Sequence, residues 1–313
     1  MGKIAFLFPG QGAHAVGMGK SIVELSPSGR GVFDKIETLR PGTKAQCFEG
    51  PAEILNQTVN TQPCIFTVEM AAMVTLNDMG LIPQAVAGFS LGEITGLVAS
   101  GILSLEDGLT LVTARGQAME MATQNTDATM VAVLKLKNEV VEALCQEFSL
   151  CYPVNYNCPG QLVVALNNKD LPEFLNQVKA LGGRGLPLGL SGGFHSPYMA
   201  EATKQLEPKL KNLSFSKGSI PLYGNATALP YPESPDQIKS AILYQINHPV
   251  FWEKTIHQMM ADGITTFIEV GPGKTLSGFL KKTNNEIKNF HSDDLIKDYY
   301  EKQKAGKEWS LEC

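Results

Sequence analysis

A serine set between two glycines, Gly88-Phe89-Ser90-Leu91-Gly92, does most to limit what this chain can fold into. An apolar segment, AVAGF at 85–89, leads into it, and a helix-like segment, LGEITGLVASG at 91–101, leads out. A strand that turns sharply into a helix at G-x-S-x-G lifts the serine hydroxyl clear of the sheet edge, and glycines allow close backbone approach. The following helix aims N–H groups and a positive dipole end at whatever the serine carries. Such a turn belongs to a parallel α/β layer. The alternative is an ordinary glycine-rich βα turn, since the pentapeptide also recurs by chance.

The surrounding chain fits that layer. KIAFLF at 3–8 reads as a buried strand, and FPGQGAHAVGMG at 8–19 as a loop. Residues 63–79 have helical spacing, with Pro63 at the start, where a missing N–H costs little. Ser104-x-x-Asp107 fits a capping box and predicts a helix to about Ala122. The rhythm then changes. MVAVLKL (130–136), CYPVNYN (151–157), QLVVAL (161–166) and RGLPLGL (184–190) read as strands, with a Pro-Gly turn at 159–160. KNEVVEALCQEF (137–148) and DLPEFLNQVKALG (170–182) read as helices, Asp170 capping the second. The order βαββαβ predicts a ferredoxin-like unit inserted in the parallel α/β domain. TTFIEV (265–270) and KTLSGFLKK (274–282) resume the first pattern. We divide the chain into a catalytic domain, 1–125 with 194–302, an insert at 126–193, and a solvated tail at 303–313.

Composition limits the partners. The 313 residues carry a net charge of −5, which offers no field for nucleic acid or anionic membrane. No apolar run approaches the ~18 residues needed to cross a bilayer, and the opening MGKIAFLF lacks a signal-peptide pattern. A cytoplasmic monomer is expected. None of the six cysteines forms C-x-x-C, so free thiols are expected and a metal site is not. Gly10-x-Gly12-x-x-Ala15 meets only the weak form of the dinucleotide fingerprint, and the glycines after it spoil a prompt helix start.

A nucleophilic serine needs a base. Of the five histidines, His257 falls in a helical stretch and His291 in the polar end. His14 lies in the first glycine-rich loop, and His248 precedes Pro249. His195 stands in SGGFHSPYM, a loop rejoining the main domain after the insert. Arg115 shares a helical face with Leu105, Leu109, Val112 and Met119. It serves there either an ion pair with a buried Asp or Glu or a clamp on a substrate carboxylate.

Seven segments in order, FPGQGAHAVGMG, GFSLGE, ARGQAM, NYNCPGQ, GFHSPYM, QINHPVFW and EVGPGKTLSG, resemble the malonyl-CoA:acyl carrier protein transacylases and the acyltransferase domains of polyketide synthases. The resemblance implies a hydrolase-like α/β fold with a ferredoxin-like insert and transfer of a malonyl group from CoA to an acyl carrier protein. It implies no tightly bound cofactor. It makes Ser90 the nucleophile and His195 its base, oriented by the backbone carbonyl of Gln245. The N–H groups of Gln11 and Leu91 form the oxyanion hole, and Arg115, beside Met119, takes the malonyl carboxylate. Asn155 and Asn157 lie near the CoA arm, and Phe194 accompanies a preference for the unbranched malonyl group. Phe89 departs from the histidine that many members carry before the serine. Two rivals remain at this point: a serine esterase or thioesterase, which should have a carboxylate in its triad, and a non-catalytic module that docks carrier proteins.

Overall fold

The computed structural model describes residues 2–311. Nine strands are present among them: β1 Lys3–Phe8, β2 Ala85–Gly88, β3 Ala128–Leu134, β4 Cys151–Cys158, β5 Gln161–Asn167, β6 Arg184–Ser191, β7 Leu222–Tyr223, β8 Ile264–Glu269 and β9 Lys288–His291. They form two sheets. The first has the order β7-β2-β1-β8-β9, every neighbouring pair parallel. Its central strand is apolar on both faces because both are covered. Ile4, Phe6 and Phe8 enter the larger core, while Ala5 and Leu7 enter a second core on the opposite face, with Trp252 and Phe267.

The second sheet has the order β4-β5-β3-β6 and is antiparallel throughout. With two helices, Asn138–Cys145 and Leu171–Ala180, it makes the βαββαβ unit read from the sequence. Alternation along β3 gives each face a job. Val131 and Val133 join Val141, Leu144 and Phe174 in the insert's own core. Met130 and Ala132 point the other way, into the cavity described below. The insert is also stitched to the main body, since Tyr156 N–H donates to Val250 O and Val250 N–H to Val154 O, at 2.9 and 2.8 Å.

The Ser104 cap is present: its side chain accepts from Asp107 N–H at 3.0 Å and opens a helix over Leu105–Gln124. Elsewhere the helices depart from the sequence reading. The helix predicted from Pro63 runs over Thr58–Asp78, with Pro63 inside it. Its first N–H, on Thr58, donates to Glu120 Oε2 at 3.0 Å. That anchor comes from a distant helix, so local sequence could not reveal it. Asp170 precedes its helix without a capping bond. Asn167 caps the short 3-10 turn before it instead. Residues 20–57, unassigned from sequence, form four helices. The chain end also differs from a solvated tail. Residues 304–308 are exposed, but Trp309 donates to Asp298 and packs edge-on against Tyr299, and Leu311 is buried. Cys313 lies outside the described residues; the other five cysteines are free.

Candidate active site

The turn after β2 shows why both glycines of the motif are needed. A Cβ on Gly88 would fall 1.9 Å from the carbonyl carbon of Gly92, and one on Gly92 would fall 2.1 Å from the Phe8 carbonyl oxygen. This close packing pins the turn to the end of β1, where Phe89 N–H donates to Phe8 O at 2.8 Å. Ser90 itself is held at φ 55°, a region residues with a Cβ avoid. Strain of this kind persists only where the surroundings over-determine the backbone.

His195 also has a positive φ, 62°. Its Nε2 lies 2.7 Å from Ser90 Oγ and its Nδ1 lies 2.9 Å from the Gln245 carbonyl. A carbonyl only accepts, so Nδ1 carries the hydrogen and Nε2 is left to accept the serine proton. Burial, and next the nearby Arg115 charge, push the imidazole pKa down to about 4, against a smaller opposing effect of the Gln245 carbonyl. His195 is therefore neutral and competent as a base at any pH above that value. Because kcat/KM reports groups on the free enzyme, turnover is expected to stay level from about pH 8 to about pH 5 and to fall only on approaching pH 4. A pH series of kcat/KM checks this. An inflection near ~6.5, the ordinary histidine value, would mean that the ring is solvated.

Arg115 is 1% exposed. Its Nη1 donates to Gln62 Oε1 at 2.9 Å, and its Nη2 donates to Ser90 Oγ and Gln245 Oε1, each at 3.1 Å. Its Nε has no partner. Among the described residues no ion pair includes it. The reading as one half of a buried ion pair is thus not met at contact distance, although the buried Glu93 carboxylate acts on Arg115 through space. Burial lowers its pKa to about 10, opposed by the Glu93 charge.

A cavity of about 320 Å³ opens in front of Ser90, between the two sheets. Gln11, Leu91, Met119 and Phe194 line it beside Ser90 and His195, as do Asn155 and Asn157 from β4. Among the described residues the backbone N–H groups of Gln11 and Leu91 have no acceptor. The Oδ1 atoms of Asn155 and Asn157 are likewise buried without partners. A buried polar atom left unpaired is costly, and all four groups belong to residues that line the cavity. Arg115 and Gln245 stand behind this first layer, reached through Ser90 and His195.

The other histidines lie elsewhere. His257 is exposed, and His14 pairs with Asn56. His248 stacks on Tyr244. His291 is buried at the end of β9 and accepts from Asp293 N–H, so it is not a residue of a polar tail. Sequence reading missed Gln62, Glu93, Asn225 and Tyr231. Glu93 carried a signal, being a charged residue in an otherwise largely apolar helix. Asn225 sits in an unremarkable turn sequence, GNAT, and carried none.

Comparison with known proteins gives a consistent picture. A family model described as the acyl transferase domain matches residues 5–309. The chain is 38% identical over 300 residues to a malonyl CoA-acyl carrier protein transacylase of Bacillus subtilis (strain 168), spanning 94% of each. It is similar to the crystal structure of the transacylase of that name from Clostridium perfringens, with TM-score 0.90 and 34% identity over 97% of this chain and 98% of that one. It is also similar, with TM-score 0.87 and 29% identity over 92% and 94% of the chains, to a solved complex of a type II polyketide synthase acyl-carrier protein with its malonyl-transacylase.

Proposed function

Because this chain belongs to the acyl transferase family, we propose that Ser90 is its nucleophile, His195 its base, and Arg115 the group that holds the carboxylate of the acyl unit. The reaction is transfer of a malonyl group from malonyl-CoA to an acyl carrier protein, in fatty acid or polyketide synthesis. The observation that carries the assignment of roles is the buried Arg115 guanidinium, 3.1 Å from Ser90 Oγ and without a carboxylate partner among the described residues. Malonyl-CoA brings a carboxylate two bonds from the carbon that Ser90 attacks.

In the first half-reaction Ser90 Oγ attacks the thioester carbonyl and its proton passes to His195 Nε2. The N–H groups of Gln11 and Leu91 receive the oxyanion, each contributing on the order of 3 kcal/mol to lowering the barrier. The intermediate collapses, the C–S bond breaks, and His195 returns the proton to the departing CoA sulfur. The second half-reaction runs the same steps in reverse, with the phosphopantetheine thiol of the carrier attacking malonyl-Ser90. The Gln245 carbonyl holds the imidazole where a hydrolase triad would use a carboxylate. This chemistry asks for no tightly bound cofactor.

We further assign Asn155 and Asn157 to the amide-bearing CoA arm. Phe194 and Met119 form the wall that confines the acyl group. The segment 126–193 serves as an inserted wall of the site and 1–125 with 194–302 as its catalytic body. The five free cysteines suit a cytoplasmic location. The test is to mix the protein with malonyl-CoA and carrier protein in its phosphopantetheine form, then weigh the carrier. A malonylated carrier is expected. Free malonate with an unmodified carrier would identify a thioesterase.

A further inference from the structure

Asn225 follows β7 and is 1% exposed. Its Oδ1 accepts from Ser90 N–H at 2.7 Å, and its Nδ2 donates to Gly88 O at 2.6 Å. On the other side of the serine, the Gln245 Nε2 donates to Ser90 O at 2.7 Å. The three consecutive peptide units that join Gly88 to Leu91 are thus each gripped by a side-chain amide. A peptide unit is planar and trans, so its C=O and N–H point in opposite directions. Holding Ser90 O against Gln245 therefore turns the N–H of Leu91, in the same unit, away from Gln245.

The clamp is itself anchored. The backbone N–H of Asn225 donates to Glu93 Oε2 at 2.6 Å, and Tyr231 Oη donates to Glu93 Oε1 at 2.5 Å. Glu93 is 2% exposed and lies in the first turn of the helix that Ser90 leads into. Asn225 is thus tied both to the strand before the serine and to the helix after it. It touches no reacting group. The bonds its side chain makes with the turn fall on the peptide unit that enters Ser90 and on the unit before it, leading into the residue whose φ is positive.

We propose that Asn225 is a positioning residue for the transfer reaction: with the Gln245 side chain it locks the Ser90 turn, so that Oγ meets His195 and the Leu91 N–H faces the developing oxyanion. The proposal rests on the reading of Ser90 as nucleophile. It differs from a role in binding, because Arg115 is held by Gln62 and the Asn225 side chain makes no bond to Arg115.

The experiment is quenched-flow acylation of Asn225→Ala and Asn225→Asp by malonyl-CoA at varied concentration, with melting curves to show that each variant is folded at the assay temperature. A displacement of the nucleophile by an ångström costs about 100-fold, and a fall of that order in the saturating acylation rate is expected for Asn225→Ala. The half-saturating malonyl-CoA concentration should move less than about threefold, because the loss is confined to the transition state. Asn225→Asp keeps the acceptor for Ser90 N–H but loses the donor to Gly88 O, so its rate should fall between the two. A folded alanine variant that acylates within about threefold of the wild-type rate, or that loses rate and half-saturation together, overturns the proposal. If the alanine variant does not fold, Tyr231→Phe removes only the hydroxyl that steadies Glu93. It should lower the same rate by roughly three- to tenfold, and no change there also overturns the clamp. A wild-type protein that takes no malonyl group would instead remove the assignment of Ser90, a different result from a malonylated wild type beside an unaffected variant.

Discussion

Ser90→Ala is expected to abolish both the malonyl-enzyme adduct and transfer to the carrier. Among the described residues Ser90 carries the hydroxyl that His195 and Arg115 meet at hydrogen-bond distance. Its loss removes the covalent intermediate, not merely a contribution to the barrier. His195→Ala should retain a slow acylation, because the oxyanion donors and Arg115 remain while the neutral hydroxyl attacks without a base. General-base catalysis is worth about 10²–10⁴-fold, and single-turnover acylation should slow by that order. Adduct formation by the Ser90→Ala protein would place the nucleophile elsewhere. An unchanged His195→Ala rate would require another base.

Arg115→Ala is expected to separate acids from neutral acyl groups. Malonyl-CoA and acetyl-CoA differ by one carboxylate. Arg115 has an unpartnered Nε and no carboxylate at ion-pair distance among the described residues, so in its proposed role it gains from the acidic substrate a partner that acetyl-CoA lacks. Truncating one partner of a buried charge pair costs ~2–5 kcal/mol. At about 1.4 kcal/mol per decade, kcat/KM for malonyl-CoA should fall by roughly 30- to several-thousand-fold. The acetyl reaction should hold or improve, since an unpaired buried charge has gone. Arg115→Lys should recover part of the loss, because an ammonium lacks the planar two-point contact. Ser90 acylation by both thioesters, in wild type and both variants, gives the comparison. Equal losses for the two substrates would make Arg115 a structural residue.

What could be read from the sequence follows from how local each cause is. Strand β1, the turn at Ser90 and the Ser104 cap are written in neighbouring residues, and the structure places them where the patterns do. The βαββαβ order was legible because period-2 and period-3.6 runs alternate cleanly over 130–190. The early start of the Thr58–Asp78 helix was not, because Glu120, far along the chain, satisfies its first N–H. Trp309 and Leu311 are two apolar residues in a polar stretch, too few to reveal that the chain end folds back. In the site, Ser90, His195 and Arg115 are residue types whose chemistry announces itself. Asn225 and the Gln245 side chain act by holding backbone groups, and nothing in a one-dimensional string marks which turn an amide will brace.

The most direct test of the account is to mass-map the protein after brief mixing with malonyl-CoA, then to chase it with carrier protein or with buffer. One malonyl group on the peptide containing Ser90, stable in buffer and discharged by the phosphopantetheine thiol, is the result expected from a serine–histidine pair that meets its acceptor through the cavity. A malonyl group on any other residue would contradict it, as would an adduct on Ser90 that buffer removes as fast as the carrier does.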